Sequence, residues 1–322
     1  MKTVLLMYSN HYPSREHISR LAEIAPGYAV RVASSEKEAL KYAPDAHIIM
    51  GHRYLRQVLE LALHLRWVQS SAGGIDRMPL EQLRERNIAL SRTSFPSNIL
   101  ARHAHTLAWA LIRGIPECCF LQQKKIWSTA VKLLPQPKAA LVMGVGAIGK
   151  DIARLLKRDG IRVYGVKRSR DDESRALCDR LLGMDEWRAV LPDADIVFLA
   201  LPNTRFSRGI FDADAIAHLP AHAVIVNVGR QETMDTPAII SALRNERLGG
   251  AALDVFERTP LPQDDPLWEA PRFIVSPYIA GRYPGRAKDL ESYFEKQLER
   301  FLKNEKPENS ISWKEAGDEY GC

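Results

Sequence analysis

The stretch LVMGVGAIGKDIARLLKRDG, Leu141–Gly160, decides how this chain is read. Gly144, Gly146 and Gly149 form a G-x-G-x-x-G triplet that follows an apolar run and opens an amphipathic helical pattern. The next apolar run ends about 20 residues further on, which is the context the triplet requires. The first glycine permits a tight turn, the second lets a pyrophosphate approach backbone N–H groups, and the third lets the helix pack on the sheet. The helix N-terminus then favours the anion. The loop predicts a dinucleotide site, with Ala147 and Ile148 as further cofactor contacts.

The same rhythm continues on either side. Downstream, IRVYGVKRS, ADIVFLALP, AVIVNVG, GAALDVF and FIVSPYI join KAALVMGVGAIG as six expected strands of a doubly wound fold. Upstream, TVLLMYS, YAVRVAS, AHIIMGH, RWVQSS and IALSR alternate with helical stretches such as EKEALKYA and LEQLRERN, which implies a parallel sheet covered on both faces. Around Asn98 this gives way to one long apolar helix, NILARHAHTLAWALIRG, an expected bridge between domains. The pattern DLESYFEKQLERFLKNE has apolar residues at i, i+3 and i+4 and is expected to return to the first domain, leaving a polar tail. The expected division is residues 1–98 with 284–322 as one domain and residues 99–283 as the dinucleotide-binding domain.

Composition narrows the class. The chain has 322 residues, 46% hydrophobic and 26% charged, with a net charge of +6 spread along its length, so two ordinary domains are expected and nucleic acid is not. No run reaches the ~18 apolar residues of a membrane span. The start, MKTVLLMYSN, reads as a first strand, and the expected location is the cytoplasm. Cys118, Cys119, Cys178 and Cys322 show neither metal spacing nor a disulfide framework; no metal is expected, and Cys118 and Cys119 are expected as buried small hydrophobes.

The residues ending the strand after the glycine loop select the cofactor. A carboxylate there suits the ribose hydroxyls of NAD, whereas this chain carries Val166, Lys167, Arg168, Ser169 and Arg170. Guanidinium groups and a hydroxyl bind a 2′-phosphate by charge-assisted hydrogen bonds, so NADP(H) is expected, with Asp171 and Asp172 just beyond weakening the field. Leu201, Pro202 and Val228, at the ends of later strands, complete the expected cofactor contacts.

WVQSSAGGID, the glycine loop, KRSR, DADIVFLALPNT, IVNVGRQETMD, GAALDVFERTPLP and DPLWEAPRFIVSPYIAG occur in order over nearly the whole chain. In these segments the chain resembles the D-isomer-specific 2-hydroxyacid dehydrogenases, particularly the glyoxylate/hydroxypyruvate reductase branch. The resemblance implies two doubly wound α/β domains, a Rossmann cofactor domain and a flavodoxin-like substrate domain, in a homodimer acting on a small carboxylate. It implies that Arg230 binds the substrate carboxylate and polarises its carbonyl. The loop of Ser71, Ala72, Gly73 and Gly74 assists through backbone N–H groups, and Asp254 holds the nicotinamide carboxamide.

Two positions depart from that family. Its catalytic histidine follows the proline of the last strand, and here Pro277 is followed by Tyr278; its glutamate precedes Pro-Leu, and here Thr259 precedes Pro260 and Leu261. Arg102 also stands where the family usually has an acidic residue. An imidazole with pKa near ~6.5 gives and takes a proton at neutral pH, while a phenol near ~10 mainly donates. The chain is therefore expected to be an NADPH-dependent reductase with non-standard catalytic residues, Arg230, Tyr278 and Thr259, and with Arg282 adding charge for an acidic 2-oxo acid or imine. The alternative is a catalytically inactive NADP(H)-binding regulatory homologue. His103 and His105 are expected in satisfied polar contacts between domains, and Trp127 and Trp268 in packing or dimer contacts.

Overall fold

The computed structural model describes residues 1–9, 11–93, 96–169 and 171–320. The chain divides into two compact units, Met1–Phe95 with Tyr283–Cys322, and Pro96–Arg282.

The first unit is built on five parallel strands, β1 (Thr3–Met7), β2 (Ala29–Val32), β3 (Ala46–Gly51), β4 (Trp67–Gln69) and β5 (Ala89–Ser91), in the order β2-β1-β3-β4-β5. Side chains alternate between two cores, as a period of two requires. Val4, Leu6, Ile48, Met50 and Trp67 face Leu21 of the helix Arg15–Ile24 and Leu290, Phe294 and Leu298 of the helix Arg286–Leu302. Leu5, Met7, Ile49 and Val68 form the opposite core with Ala39, Val58 and Leu83. The late helix thus returns to the first sheet.

The tail beyond it is less polar than expected. A further helix, Trp313–Tyr320, buries Ala316 and lays Trp313 and Tyr320, with Ile311, against the second core. Residues 313, 316 and 320 share a helical face that the intervening charges conceal in the sequence.

The second unit holds seven parallel strands, one more than expected: β6 (Ala139–Met143), β7 (Arg162–Val166), β8 (Arg180–Leu182), β9 (Ile196–Leu199), β10 (Val224–Asn227), β11 (Gly250–Leu253) and β12 (Phe273–Val275). Their order is β12-β11-β10-β9-β6-β7-β8, so the direction of winding reverses between β6 and β9. The unanticipated β8 is a three-residue edge strand, too short to show a period. The helix Ser97–Ile112 lies on this sheet, its Ala101, Ala104, Ala108 and Leu111 packed with Ile152, Ala153 and Leu156 of the helix Ala147–Arg158 on Val142, Phe198 and Val226. The opposite face packs Leu141, Met143, Leu199, Ile225 and Leu253 against Trp187, Phe211 and Ile239. No helix among the described residues is long and apolar enough to cross a membrane.

Candidate functional site

Strand register alone brings the candidate residues of the second unit to one edge. Met143 is level with Val166 and Leu199, Leu199 with Asn227, Asn227 with Leu253, and Leu253 with Val275. The residues that follow, Gly144, Lys167, Leu201, Val228 to Arg230, Asp254 and Tyr278, therefore leave the carboxyl edge of one sheet around its switch point, where open α/β sheets bind ligands.

The three glycines take three different environments. Gly144 has φ +95°, a left-handed value that costs any other residue, and a Cβ there would meet the Ala200 carbonyl oxygen at 2.9 Å. A Cβ on Gly149 would meet the Gly144 oxygen at 2.1 Å, so glycine lets the helix sit against the turn. A Cβ on Gly146, the residue before the helix Ala147–Arg158, would meet nothing within 4 Å. A turn glycine, an open glycine at a helix N-terminus and a packing glycine are the set that a pyrophosphate needs, and the residues fit a dinucleotide. Leu201 and Val228 are buried in the two cores, and Pro202 offers its carbonyl to the Ser207 hydroxyl at 2.5 Å.

The basic turn is partly committed. Lys167 pairs with Asp171 and donates to the Ser174 hydroxyl at 3.2 Å, and Lys150 pairs with Asp171 at 3.2 Å and with Glu173. The Lys167 ammonium, followed by the Ser174 N–H, holds the Asp171 carboxyl below the usual carboxylate range. Asp171 also caps the helix Asp172–Leu177, accepting from the Ser174 N–H at 2.9 Å. Arg168 and Ser169 are exposed; Arg170, the last expected phosphate ligand, lies outside the described residues.

Past β10, a buried Asn227 fixes the arginine loop in both directions. Its oxygen accepts from the Gly229 N–H at 2.9 Å, and its amide donates to the Arg230 carbonyl at 2.9 Å, which also accepts from Thr233 at 2.6 Å. Arg230 is half-buried, with one Nη donating to the Gly229 carbonyl at 2.9 Å. Asn227 was not anticipated; a polar residue ending the apolar run VIV was its signal.

Past β11, Asp254 is buried and organises the loop after β12. Its carboxylate accepts from the Ser276 hydroxyl at 2.5 Å, the Ile279 N–H at 2.9 Å and the Ala280 N–H at 3.1 Å. His103, on the helix Ser97–Ile112, meets Ser276 Oγ through Nε2 at 2.7 Å, making a His103–Ser276–Asp254 chain inside the second unit. His105 is satisfied within the same unit by Asp159 at 2.6 Å. Neither histidine makes its contact between domains, because the helix carrying both lies on the second sheet.

Within this loop Tyr278 has φ +56°, uncommon for an aromatic residue. Its N–H is shared by the carbonyls of Ser276 at 3.0 Å and Asp254 at 3.2 Å. The phenol donates to the Phe256 carbonyl at 3.2 Å, and the half-buried ring packs edge-on against Phe256. Thr259 and Arg282 are exposed, and Trp268 donates its indole N–H to the Pro262 carbonyl at 2.7 Å.

In the first unit, the loop after β4 is fixed by Ser70, whose hydroxyl accepts from the Ala72 N–H at 3.0 Å. The N–H groups of Ser71, Gly73 and Gly74 donate to no acceptor among the described residues. His52, unanticipated, stands just past β3 with Nδ1 3.3 Å from the hydroxyls of both Ser70 and Ser71, and burial pushes its imidazole pKa down.

The helix Ile115–Gln123 corrects another expectation. It buries none of its own residues, so Cys118 and Cys119 are exposed rather than buried. Phe120, Ile126 and Trp127 are exposed nearby, Trp127 at 96%.

Comparison with known proteins gives this edge its context. Residues 105–280 match the family model described as D-isomer specific 2-hydroxyacid dehydrogenase, NAD binding domain. A glyoxylate/hydroxypyruvate reductase A from Salmonella heidelberg (strain SL476) is 28% identical over 268 residues, 81% of this chain and 82% of that one. A crystal structure of a D-isomer specific 2-hydroxyacid dehydrogenase family protein from Aeromonas salmonicida covers 97% of this chain and 99% of its own, at 28% identity and TM-score 0.82. An acyclic imino acid reductase in complex with NADPH and D-Arg shares the fold at TM-score 0.79 and 20% identity, covering 97% of this chain and 100% of its own. The chain belongs to the D-isomer-specific 2-hydroxyacid dehydrogenase family of oxidoreductases, with glyoxylate/hydroxypyruvate reductases among its relatives.

Proposed function

We propose that the protein is an NADP(H)-dependent reductase that acts on a small acceptor carrying a carboxylate, a 2-oxo acid or the imine derived from one. The observation that carries this reading is the Asn227-braced Arg230 at the sheet edge that also presents the glycine loop. A guanidinium on a loop so fixed suits a carboxylate, and within the first unit the N–H groups of Ser71, Gly73 and Gly74 are donors of the kind that bind anions. We assign the first unit to substrate and the second to cofactor. Bound NADPH supplies the hydride.

The proton has a different source from that of the wider family. The phenol of Tyr278 is spent on the Phe256 carbonyl and Thr259 is exposed, so neither reproduces an oriented imidazole. Asp254 anchors the backbone behind Tyr278, and Arg230 is left to hold the carboxylate and polarise the acceptor. An iminium already carries its proton and needs only hydride to become an amine, whereas a 2-oxo acid needs hydride and a proton from solvent. The imino acid reductase with NADPH and D-Arg has this fold, which supports the imine as one of the two acceptors. The same Tyr278 geometry favours a second reading, an inactive NADP(H)-binding homologue.

NADPH consumption separates the two. The protein is expected to oxidise NADPH when given pyruvate with methylamine, faster than with pyruvate alone; tight NADPH binding with no consumption by any 2-oxo acid, with or without amine, leaves the inactive homologue. We further propose a cytoplasmic homodimer formed through the second unit, supported by the exposed Phe120, Ile126 and Trp127.

A further inference from the structure

The loop after β9 carries a cluster that neither the glycine loop nor the arginine loop uses. Arg205 and Phe206 follow Thr204, and Phe206 is 44% exposed and belongs to no core. The Arg205 guanidinium lies 4.7 Å from the Phe206 ring centroid, and that of Arg168, at the end of β7, lies 5.3 Å from it. Both are within cation–π range of one ring. Strands β7 and β9 are separated by β6, two strand spacings or about 10 Å, so this contact means that the two loops meet across the end of the strand bearing the glycine loop.

The loop is braced beneath these side chains. Buried Thr204 and Ser207 share a hydroxyl–hydroxyl hydrogen bond of 2.8 Å, the Ser207 hydroxyl receives the Thr204 N–H at 2.9 Å and donates to Pro202, and the Phe206 N–H reaches Thr204 Oγ1 at 3.3 Å. The hydroxyls hold the backbone so that residues 205 and 206 point outward. The charge around the cluster has been settled as well. Lys167 and Lys150 both pair with Asp171, so its carboxylate does not stand as an uncompensated charge against an anion here.

We propose that Arg205 and Phe206, with Arg168, form the seat of the adenosine 2′-phosphate: Phe206 offers a face to the adenine and the two guanidinium groups bind the phosphate. The cations of this seat are Arg168 and Arg205, whereas Lys167 serves to neutralise Asp171. The inference rests on the NADP(H) reading and adds residues from the loop after β9, which the strand-end sequence KRSR does not contain.

Equilibrium binding tests it without any turnover. Dissociation constants of the full chain for NADPH, NADH, 2′,5′-ADP and 5′-AMP are measured by calorimetry for wild type, Arg205→Ala and Phe206→Ala, both changes being at exposed side chains. Arg205→Ala is expected to weaken NADPH and 2′,5′-ADP on the order of tenfold and to leave NADH and 5′-AMP unchanged. Phe206→Ala is expected to weaken all four, since the adenine is common to them. A wild type that prefers NADPH, with the preference intact in Arg205→Ala, overturns the inference alone. A wild type that binds NADH as tightly as NADPH overturns the NADP(H) reading and the inference with it.

Discussion

At the scale of single residues, the site turns on what each polar group already holds. Tyr278 spends its hydroxyl on the Phe256 carbonyl, so Tyr278→Phe is expected to lose one hydrogen bond, about 0.5–1.5 kcal/mol of stability by chemical denaturation, and little affinity for cofactor. Asn227 serves two backbone groups at once, and Asn227→Ala takes the acceptor of the Gly229 N–H while the Arg230 carbonyl keeps Thr233; we expect a loss of about 1–3 kcal/mol and a raised KM for the acceptor. His52 supplies a pH dependence. Its folded pKa lies below the unfolded value, so the unfolded chain binds the extra proton first, and its contribution to stability is full above about pH 6.5 and lost as pH falls through the folded pKa. Melting temperature should drop on acidification below that point, and His52→Gln should flatten part of the drop; an unchanged profile would place the effect elsewhere. The sequence singles out Arg230, Asp254 and Tyr278 as candidates because each follows an apolar strand within a recognisable motif. It does not reveal that Ser276 and His103 lock Asp254, since residues so far apart in the chain meet only when the helix Ser97–Ile112 lies on the sheet.

At the scale of elements, the glycine loop separates binding from folding. Gly146→Ala adds a methyl into open space and is expected to fold normally while weakening NADPH and NADH alike in calorimetry. Gly149→Ala drives a Cβ onto the Gly144 carbonyl and is expected to destabilise the unit by about 1–3 kcal/mol even without cofactor. Equal stability of the two variants would mean that the helix shifts to absorb the methyl. The long strands were legible because four or five apolar residues in a row bounded by glycine, proline or polar turns have few other readings. β8 and the helix Trp313–Tyr320 were not: three residues show no period, and the apolar face of that helix is diluted by lysine, glutamate and aspartate.

At the scale of the whole molecule, the proposed dimer rests on an exposed aromatic patch. Trp127 at 96% exposure, beside Phe120 and Ile126 on a segment that buries little of itself, is the surface we expect a second copy to cover. Phe120→Glu combined with Trp127→Glu should turn a dimer into a monomer in sedimentation; a wild type that sediments as a monomer removes the proposal. The central claim is that hydride transfer is organised by Arg230 with no acid at position 278. Its most direct test compares kcat/KM for NADPH-dependent reduction of a 2-oxo acid, with and without amine, in wild type, Arg230→Ala and Tyr278→Phe. The account predicts a loss on the order of a hundredfold in Arg230→Ala and a change within about threefold in Tyr278→Phe. Activity that survives Arg230→Ala, or that disappears in Tyr278→Phe while NADPH still binds, would contradict it.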